Sequence, residues 1–376
     1  MIYLDYASTT PCAAEVIDAM LPFFRESFAN ASSIDHVPGN AAFRAVESAR
    51  ESIAELMGVR SDEVIFTSGS TESNNLAISV DRRVITTPIE HPSILDPMTA
   101  RDNPHDAKIA VDRNGLVILD SLREALGNGE SALVTVIATN NETGSEQNCD
   151  AIAQVVREYG GLLHIDATQS VGLQSFDLRK SAIDGASISA HKINGPKGIG
   201  ALIARGGLRK TIRPLTRGGG HERGLRSGTL NVAAIVGFGV AARLALTHHR
   251  VNRERISVVR RAFFDTLVLK LDTTVNQTIE PERASPHILS LRIKGINGRA
   301  LLGEVKNEIA FSLGSACATL KSEPSHVLLA LGVEKQKISQ TIRISFSAEQ
   351  SVEQAQRAAN IIATAAMALQ KYSEAV

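Results

Sequence analysis

Short β-branched runs alternate with helical patterns between about residues 40 and 250. Six of these runs are apolar along nearly their whole length, which is typical of strands that are buried on both faces of a sheet. The predicted strands are Val64–Thr67, Arg83–Thr86, Leu133–Ala138, Leu163–Asp166, Ala186–Ser189 and Gly200–Ile203. Between the strands, apolar residues recur on one helical face, as at Asp150–Tyr159. This alternation predicts an α/β fold with a mainly parallel sheet between helices.

The pattern changes after about residue 250. A long helix is predicted at Arg255–Leu271, and the period of two at Leu289–Ile293 suits a half-exposed strand. A helix at Ala300–Ile309, a strand at Ile342–Phe346 and a last helix from Ser351 follow. We therefore expect a large domain formed by residues 13–250. We expect a smaller α+β domain formed by residues 1–12 and 251–376.

Composition and charge narrow the class of protein. Hydrophobic residues make up 43% of the chain and charged residues 21%, as in ordinary globular proteins. Basic and acidic residues both number 40, so no net field attracts nucleic acid or an anionic membrane. No uninterrupted apolar run reaches the roughly 18–20 residues that span a bilayer. The three cysteines are too few for a disulfide framework and suggest a reducing compartment. We expect a cytoplasmic protein that binds neither membranes nor nucleic acid directly.

Two ionisable residues follow buried strands. Lys192 stands beside the glycine-rich turn Asn194–Gly200, where a desolvated amine suits Schiff-base chemistry, although most such lysines are surface residues. Asp166 ends an apolar strand, where a buried carboxylate needs a partner such as a protonated pyridine nitrogen. Capping the next helix explains Asp166 equally well. Because ligands of open α/β sheets bind at the carboxyl ends of strands, we expect Asp166 and Lys192 to converge.

Two further segments suggest chemistry. Thr67–Asn74 runs from a strand into a helix through small hydroxyl residues, whose backbone N–H groups suit an anion, although they also suit a simple cap. Cys317 lies among the small residues of Phe311–Thr319 after a predicted helix, unlike an inert cysteine packed in a strand. Cys12 and Cys149 have the sequence surroundings of ordinary structural positions.

Together these motifs resemble the cysteine desulfurases of the NifS/IscS type, which have the class V fold of pyridoxal-phosphate-dependent transferases. The similar segments follow one order nearly from end to end. They are Tyr3–Ala7, Thr9–Pro11, Phe66–Gly69, Thr71–Glu72, Glu90–His91, Asn140–Glu142, Gly144, His164–Gly172, His191–Lys192, Gly195–Gly200, Gly218–Thr229, Gly314–Cys317 and Thr341–Arg343. The resemblance implies a homodimeric enzyme that uses pyridoxal 5'-phosphate to convert L-cysteine into L-alanine. The sulfur would remain as a persulfide on Cys317 until an acceptor protein takes it.

The resemblance also implies roles for single residues. The catalytic residues would be the nucleophile Cys317, the Schiff-base lysine Lys192, and His91 stacked on the cofactor ring. Asp166 would pair with the ring nitrogen, with Gln169 and Asn141 near the ring hydroxyl. The cofactor phosphate would be bound by Ser70, Thr71, Ser189 and His191, with Thr229 supplied by the other subunit. The substrate carboxylate would be bound by Arg343, Asn141 and Asn30.

Several alternatives stay open at this point. The family usually has Gly-Asn-Pro where this chain has Ala29-Asn30-Ala31, and the chain lacks the longer tail of housekeeping members. We therefore expect a specialised pathway such as DNA phosphorothioation, while iron–sulfur assembly and tRNA thiolation stay open. Other class V enzymes, such as a selenocysteine lyase or an aminotransferase, are the first alternative, and a partner-binding scaffold is the second. A metal site is not expected, because His221-Glu222 lacks the second histidine of H-E-x-x-H.

Overall fold

A computed structural model describes residues 1–127, 131–313 and 323–374. The helices of this part are α1 (Ala14–Met20), α2 (Pro22–Arg25), α3 (Val37–Met57), α4 (Ser70–Ala77), α5 (Pro92–Ala100), α6 (Leu119–Leu126), α7 (Cys149–Glu158), α8 (Gly206–Thr211), α9 (Val232–Leu271), α10 (Gly298–Val305), α11 (His326–Ala330), α12 (Lys335–Ile338) and α13 (Val352–Glu374). The strands are β1 (Ile2–Tyr3), β2 (Val64–Thr67), β3 (Val84–Thr86), β4 (Ala107–Lys108), β5 (Leu133–Ile137), β6 (Leu162–Asp166), β7 (Gly185–Ser189), β8 (Gly200–Ala204), β9 (Val275–Gln277), β10 (Ile288–Ile293), β11 (Ile309–Ala310) and β12 (Thr341–Ser345).

Strands β2 to β8 form one sheet in the spatial order β2-β8-β7-β6-β5-β3-β4. Only β8 runs antiparallel to its neighbours, and the other pairs in this sheet are parallel. Every residue of β2, β3, β5, β7 and β8 is buried, which explains why these strands are continuous apolar runs in the sequence. The predicted α/β fold with a mainly parallel sheet is confirmed. All six predicted strands are found, and each end lies within one residue of its prediction.

The first residue of β8 packs against the loop that follows β2. A Cβ atom placed on Gly200 would lie 2.7 Å from the Cα atom of Gly69 and 2.6 Å from the carbonyl oxygen of Ile188. Gly69 itself has a φ of +153°, which side chains rarely adopt. Glycine at both positions therefore lets this loop lie directly on the sheet edge, one residue before α4.

Helix α9 is much longer than the sequence predicts. It spans 40 residues from Val232, so the prediction of a helix that begins at Arg255 is wrong at its start. Its first half contributes Phe238 to the same hydrophobic core as the large sheet, and its second half contributes Phe263 to a separate core. A Cβ atom on Gly239 would lie 2.6 Å from the Cα atom of Ala49, so α9 and α3 approach each other closely.

Within the described residues, α9 is also the one helix that could cross a membrane by length and composition. Its 18-residue apolar stretch has a mean hydropathy of 1.3, and half of that stretch is buried inside the protein. The core helix of a globular protein has the same properties, so this helix alone is weak support for a membrane span.

The second core surrounds the three-stranded antiparallel sheet β9-β10-β12, in which β10 is central. It is closed by α10, α13 and the second half of α9. The predicted helix Ala300–Ile309 is wrong at its C-terminal end, because α10 stops at Val305 and Ile309 lies in β11. Strand β11 pairs in parallel with β1, so the first residues of the chain pack on this second core.

The N-terminal segment connects the two cores. Its early part follows β12, where the backbone N–H of Ala7 donates to the Ser345 hydroxyl over 2.9 Å. Its later part follows the turn after β7, where the backbone N–H of Thr10 donates to the His191 carbonyl over 3.0 Å. The expected packing of this segment against the C-terminal region is thus found for its first half, while its second half contacts the large sheet.

Candidate active site

Most of the candidate residues lie at the carboxyl edge of the large sheet. Asp166 and Ser189 are the last residues of the neighbouring parallel strands β6 and β7, and Lys192 ends the short 3-10 turn after β7. His91 and Asn141 follow β3 and β5 on the same edge. Lys192 also lines a cleft of about 460 Å³ together with Gln169. The structure therefore brings these residues to one region, as the strand-end argument predicts.

Asp166 is a buried carboxylate with neutral hydrogen-bond donors. Its side chain is 3% exposed. Its Oδ1 atom accepts from the Thr168 backbone N–H over 3.0 Å, and its Oδ2 atom accepts from the Asn74 side-chain amide over 2.7 Å. No ion pair joins Asp166 to a cation of the described residues. The carboxylate is thus buried among neutral donors, an environment that suits a positive partner.

The Lys192 amine lies against the N-terminal segment. It donates to the Ala7 carbonyl oxygen and, over 2.9 Å, to the Ser8 carbonyl oxygen. Gln169 also reaches this segment, because its Nε2 atom donates to the Ala7 carbonyl over 2.8 Å. The Oε1 atom of Gln169 lies 3.1 Å from Nε2 of the buried His287. The sequence singled out neither Ser8 nor His287, which are distant from Lys192 along the chain.

Helix α4 begins beside this edge with the hydroxyl residues that the sequence singled out. The Ser70 hydroxyl accepts a hydrogen bond of 2.7 Å from the Thr168 hydroxyl. Thr71 is exposed at the next position. The first backbone N–H groups of an α-helix have no partner within the helix, so this end can bind an anion. The Ser189 hydroxyl faces the same point, 3.7 Å from where a Cβ atom of Gly69 would stand.

His191 is neutral at physiological pH in this environment. Burial and the positive charges of Lys192 and Lys197 lower the pKa of His191 to about 4. Its Nδ1 atom lies 3.2 Å from the Thr9 hydroxyl. A neutral imidazole can still donate one hydrogen bond to a phosphate, but it supplies no positive charge.

Arg343 is almost completely buried, with 2% exposure. Its Nη2 atom donates to the Asp5 carboxylate and to the Ser8 hydroxyl, each over 2.8 Å. Its Nη1 atom donates to the backbone carbonyl of Asn141 over 2.8 Å. The Nε–H group has no partner among the described residues. Arg343 and Asn141 are therefore in contact, with donor capacity left on the guanidinium.

Asn30, Thr229 and Cys317 differ from the residues above. Asn30 is exposed, and its side-chain oxygen accepts from the Ser32 backbone N–H over 2.9 Å in a local turn. No hydrogen bond in the described part of the chain joins Asn30 to Arg343 or Asn141. Thr229 is exposed after the glycine-rich segment. Cys317 lies outside the described residues.

Cys12 and Cys149 are free thiols. Burial raises the pKa of Cys12 above its usual value, although the charge of Lys197 opposes this. Burial, with Asp150 and Glu90 nearby, raises the pKa of Cys149 to about 12. Both thiols are therefore protonated at neutral pH and unreactive. Among the described residues, no group of three or more His, Cys, Asp or Glu could hold a metal ion.

Comparison with known proteins identifies the family. The model of the aminotransferase class-V family matches residues 2–358. A cysteine desulfurase IscS from Anaeromyxobacter sp. (strain Fw109-5) is 40% identical over 366 residues, which cover 94% of this chain and 90% of that protein.

Solved structures agree with these matches. A NifS-like protein from Rickettsia africae ESF-5 superposes with a TM-score of 0.86 and 31% identity, covering 97% of this chain and 98% of that one. DndA from Streptomyces lividans superposes with a TM-score of 0.75 and 33% identity, covering 92% and 99%. The chain therefore belongs to the class-V aminotransferase family, whose members depend on pyridoxal phosphate. Within that family it is a member of the cysteine desulfurases of the IscS and NifS type.

Proposed function

We propose that this protein is a cytoplasmic pyridoxal-phosphate-dependent cysteine desulfurase. It converts L-cysteine into L-alanine, keeps the sulfur as a persulfide on Cys317 and passes it to an acceptor protein. The observation that carries the proposal is the convergence of the Lys192 amine, the buried carboxylate of Asp166 and the imidazole of His91 at one sheet edge. This convergence combines with 40% identity to an IscS protein.

The site fits the cofactor. The buried Asp166, whose described partners are all neutral, suits a protonated ring nitrogen. The start of α4, beside Gly69, suits the phosphate. We propose that the phosphate is bound by Ser70, Thr71, Ser189 and His191, with Thr229 from a second subunit. Gln169 and Asn141 would lie near the ring hydroxyl, and His91 would stack on the ring.

The reaction needs few groups of the chain. When bound, the cofactor supplies an electron sink for the electrons released at the substrate Cα. Lys192 would bind the cofactor aldehyde and then carry the proton taken from Cα. Cys317, as a thiolate, would attack the substrate sulfur, so that the S–S bond forms as the Cβ–S bond breaks. The substrate Cβ would then take up a proton, and Cα would regain the proton that Lys192 carries. Alanine would leave as the Lys192 amine binds the cofactor aldehyde again.

Substrate orientation would come from Arg343. We propose that it binds the substrate carboxylate together with Asn141 and Asn30. Support comes from its buried guanidinium, which Asp5 and the Asn141 carbonyl hold in place. Its Nε–H group has no partner among the described residues. A carboxylate matches a guanidinium in both charge and geometry.

We also propose that the protein is a homodimer. Seven large apolar side chains are exposed within one short stretch of chain, in and between α1 and the start of α3. They are Ile17, Leu21, Phe24, Phe28, Ile34, Val37 and Phe43, with exposures from 42% to 79%. So many exposed apolar side chains in one region are typical of an interface. A second copy of this chain would cover them and bring Thr229 to the site.

The basic, glycine-rich segment Gly218–Thr229 is weaker support for the dimer than its sequence suggests. A basic segment without an anion inside its own subunit would indicate a second copy of the chain. Arg226 in fact donates to the Glu72 carboxylate over 2.8 Å. Burial alone would raise the pKa of Glu72, but the bonds from Arg226 and Ser68 outweigh it and lower that pKa. The exposed apolar stretch is therefore the stronger argument.

We propose two domains with the boundaries expected above, residues 13–250 and residues 1–12 with 251–376. The two hydrophobic cores support the division, although α9 passes through residue 250 without a break.

We propose a protein as the sulfur acceptor, with no direct nucleic-acid binding, because the chain has no net charge. We propose a specialised sulfur pathway, of which DNA phosphorothioation is an example.

Replacement of Lys192 tests the proposal. Purified protein supplied with pyridoxal phosphate should form alanine and sulfide from L-cysteine, and Lys192→Ala should form neither. Lys180→Ala is a matched control at an exposed position and should keep full activity. Alanine formation by Lys192→Ala would overturn the assignment. Alanine formation without sulfide in the wild type would favour another class V enzyme.

A further inference from the structure

A chain of hydrogen bonds connects the Asp166 carboxylate to the His91 ring. Asn74 Nδ2 donates to Asp166 Oδ2 over 2.7 Å and to the Ser93 hydroxyl over 2.9 Å. The Ser93 hydroxyl oxygen lies 2.8 Å from Nδ1 of His91. Asn74 has no exposed surface, Ser93 is 7% exposed and Asp166 is 3% exposed. Water therefore has little access to compete for these bonds.

The carboxylate decides which way the Asn74 amide points. If the amide were reversed, its oxygen would face the oxygen of Asp166, and two acceptors cannot share a hydrogen bond. Nδ2 must therefore face Asp166. Both amide hydrogens are then used, one for Asp166 and one for Ser93. The Asn74 Oδ1 atom has no partner within the described part of the chain, so the arrangement has a cost.

The amide in turn decides the direction of the next bond. The Ser93 hydroxyl oxygen accepts from Asn74, so its hydrogen is free to point at Nδ1 of His91. The Ser93 backbone N–H also donates to Nδ1, over 3.1 Å, because His91 caps the start of α5. Nδ1 thus accepts from two donors and carries no proton itself. The proton of the neutral ring must then sit on Nε2.

We propose that Asn74 and Ser93 are positioning residues that hold His91 as the neutral tautomer with its proton on Nε2. His91 then acts as a hydrogen-bond donor through Nε2, and the group that first accepts a proton from the substrate is a different one. This inference rests on the proposed function only in assigning His91 to the reaction. The tautomer itself follows from the hydrogen bonds.

The charges around His91 are consistent with a neutral ring. Asp166 and Asp96 favour the protonated form, whereas Lys192 and His326 oppose it. Burial has the largest effect, and the balance lowers the pKa of His91 below its usual value. A second proton would have to go to Nδ1. It would displace the Ser93 N–H bond and leave the Ser93 hydroxyl to reorient.

Nitrogen NMR of the pyridoxal-phosphate-loaded protein, labelled with ¹⁵N-histidine, tests this inference. Wild type should show His91 with a protonated Nε2 and an unprotonated Nδ1 at pH 8. Ser93→Ala removes one of the two donors to Nδ1 and so destabilises the neutral ring. The acidic limb of the pH profile of kcat/KM should then move up by about half to one pH unit. Ser93→Thr keeps the hydroxyl and should restore the wild-type profile.

Two results would overturn the inference. One is a wild-type His91 whose proton lies on Nδ1. The other is a folded Ser93→Ala protein with wild-type His91 signals and an unchanged pH profile. Neither result would affect the proposed desulfurase activity. Conversely, a wild type that forms no alanine from L-cysteine would overturn the proposed function, while the observed tautomer could still agree with the inference.

Discussion

At the scale of single residues, burial decides which histidines carry charge. His164 is completely buried between the hydroxyls of Thr135 and Ser187, and burial lowers its pKa to about 4 even though Asp166 favours protonation. His287 is buried beside Gln169, and burial lowers its pKa to about 3. Both histidines serve as neutral hydrogen-bonding groups. His164 connects β6 to β5 and β7, and His287 connects Ser285 to Gln169.

The buried His287 should make stability depend on pH. In the unfolded chain it binds a proton below about pH 6.5, whereas in the folded chain it stays neutral down to about pH 3. The unfolded state therefore binds more protons in this window, and stability falls as the pH falls. His287→Gln should reduce the slope by up to about 1.4 kcal/mol per pH unit between about pH 4 and pH 6.

Urea denaturation at several pH values measures this slope. His105→Gln is the control, since His105 is exposed, and should leave the slope as in the wild type. An identical slope for His287→Gln and the wild type would contradict a neutral, buried His287.

At the scale of elements, the contact between α3 and α9 depends on a glycine. The α-carbon of Gly239 in α9 faces Ala49 in α3. A Cβ atom on Gly239 would lie only 2.6 Å from the Cα atom of Ala49, so there is no room for one. Backbone cannot yield as a flexible side chain does, so the helices would have to separate. Gly303 in α10 has open space at the same position.

These two glycines make a matched pair of substitutions. Gly239→Ala should lower the free energy of unfolding by about 1–3 kcal/mol, because overpacking forces the helices apart. Gly303→Ala should leave stability unchanged or raise it by up to about 1 kcal/mol, because alanine favours helix. Thermal or urea denaturation measures both. Equal effects of the two substitutions would show that the helices do not meet closely at Gly239.

The sequence predicted the strands well and the long helix poorly. The strands are continuous apolar runs because both of their faces are buried, and such runs are visible without a structure. The first half of helix α9 packs on one core and its second half on the other, so the apolar face of the helix shifts along its length. The polar stretch around Asn252 therefore resembles the end of one helix and the start of another. No local pattern shows that α9 is continuous there.

Without the family resemblance, local patterns predicted candidate residues of the site only at or just after strand ends. Asp166 and Lys192 could be predicted to converge because parallel strands share an edge. The bonds from Lys192 to Ser8 and from Arg343 to Asp5 join residues far apart in the chain. Asn74 and Ser93 lie inside helices as ordinary polar residues, and only their three-dimensional contacts reveal their function.

At the scale of the whole molecule, the exposed apolar residues between Ile17 and Phe43 favour an interface with a second copy of the chain. Phe24 is 65% exposed and Phe28 is 77% exposed, which costs free energy in water. A homodimer that covers this stretch would remove that cost and supply Thr229 to the neighbouring site.

Charge substitutions in this stretch test the dimer. Phe24→Glu combined with Phe28→Glu should convert the dimer to a monomer and reduce the affinity for pyridoxal phosphate by at least about tenfold, since a buried unpaired charge is costly. Leu269→Glu is the control, at a position that is 82% exposed outside this stretch. Light scattering after size exclusion measures the mass. A wild type that is a stable and fully active monomer would contradict the proposal.

The most direct test of the account is the intact mass of the protein after brief exposure to L-cysteine, with pyridoxal phosphate bound. Wild type should gain one sulfur atom, and so should Cys12→Ser and Cys149→Ser, because burial holds both of those thiols protonated. Cys317→Ser should bind the cofactor but gain no sulfur, because a serine hydroxyl is far less acidic than a thiol with a usual pKa of about 8.5. A sulfur atom that persists in Cys317→Ser, or that disappears in Cys149→Ser, would contradict Cys317 as the residue that carries the sulfur.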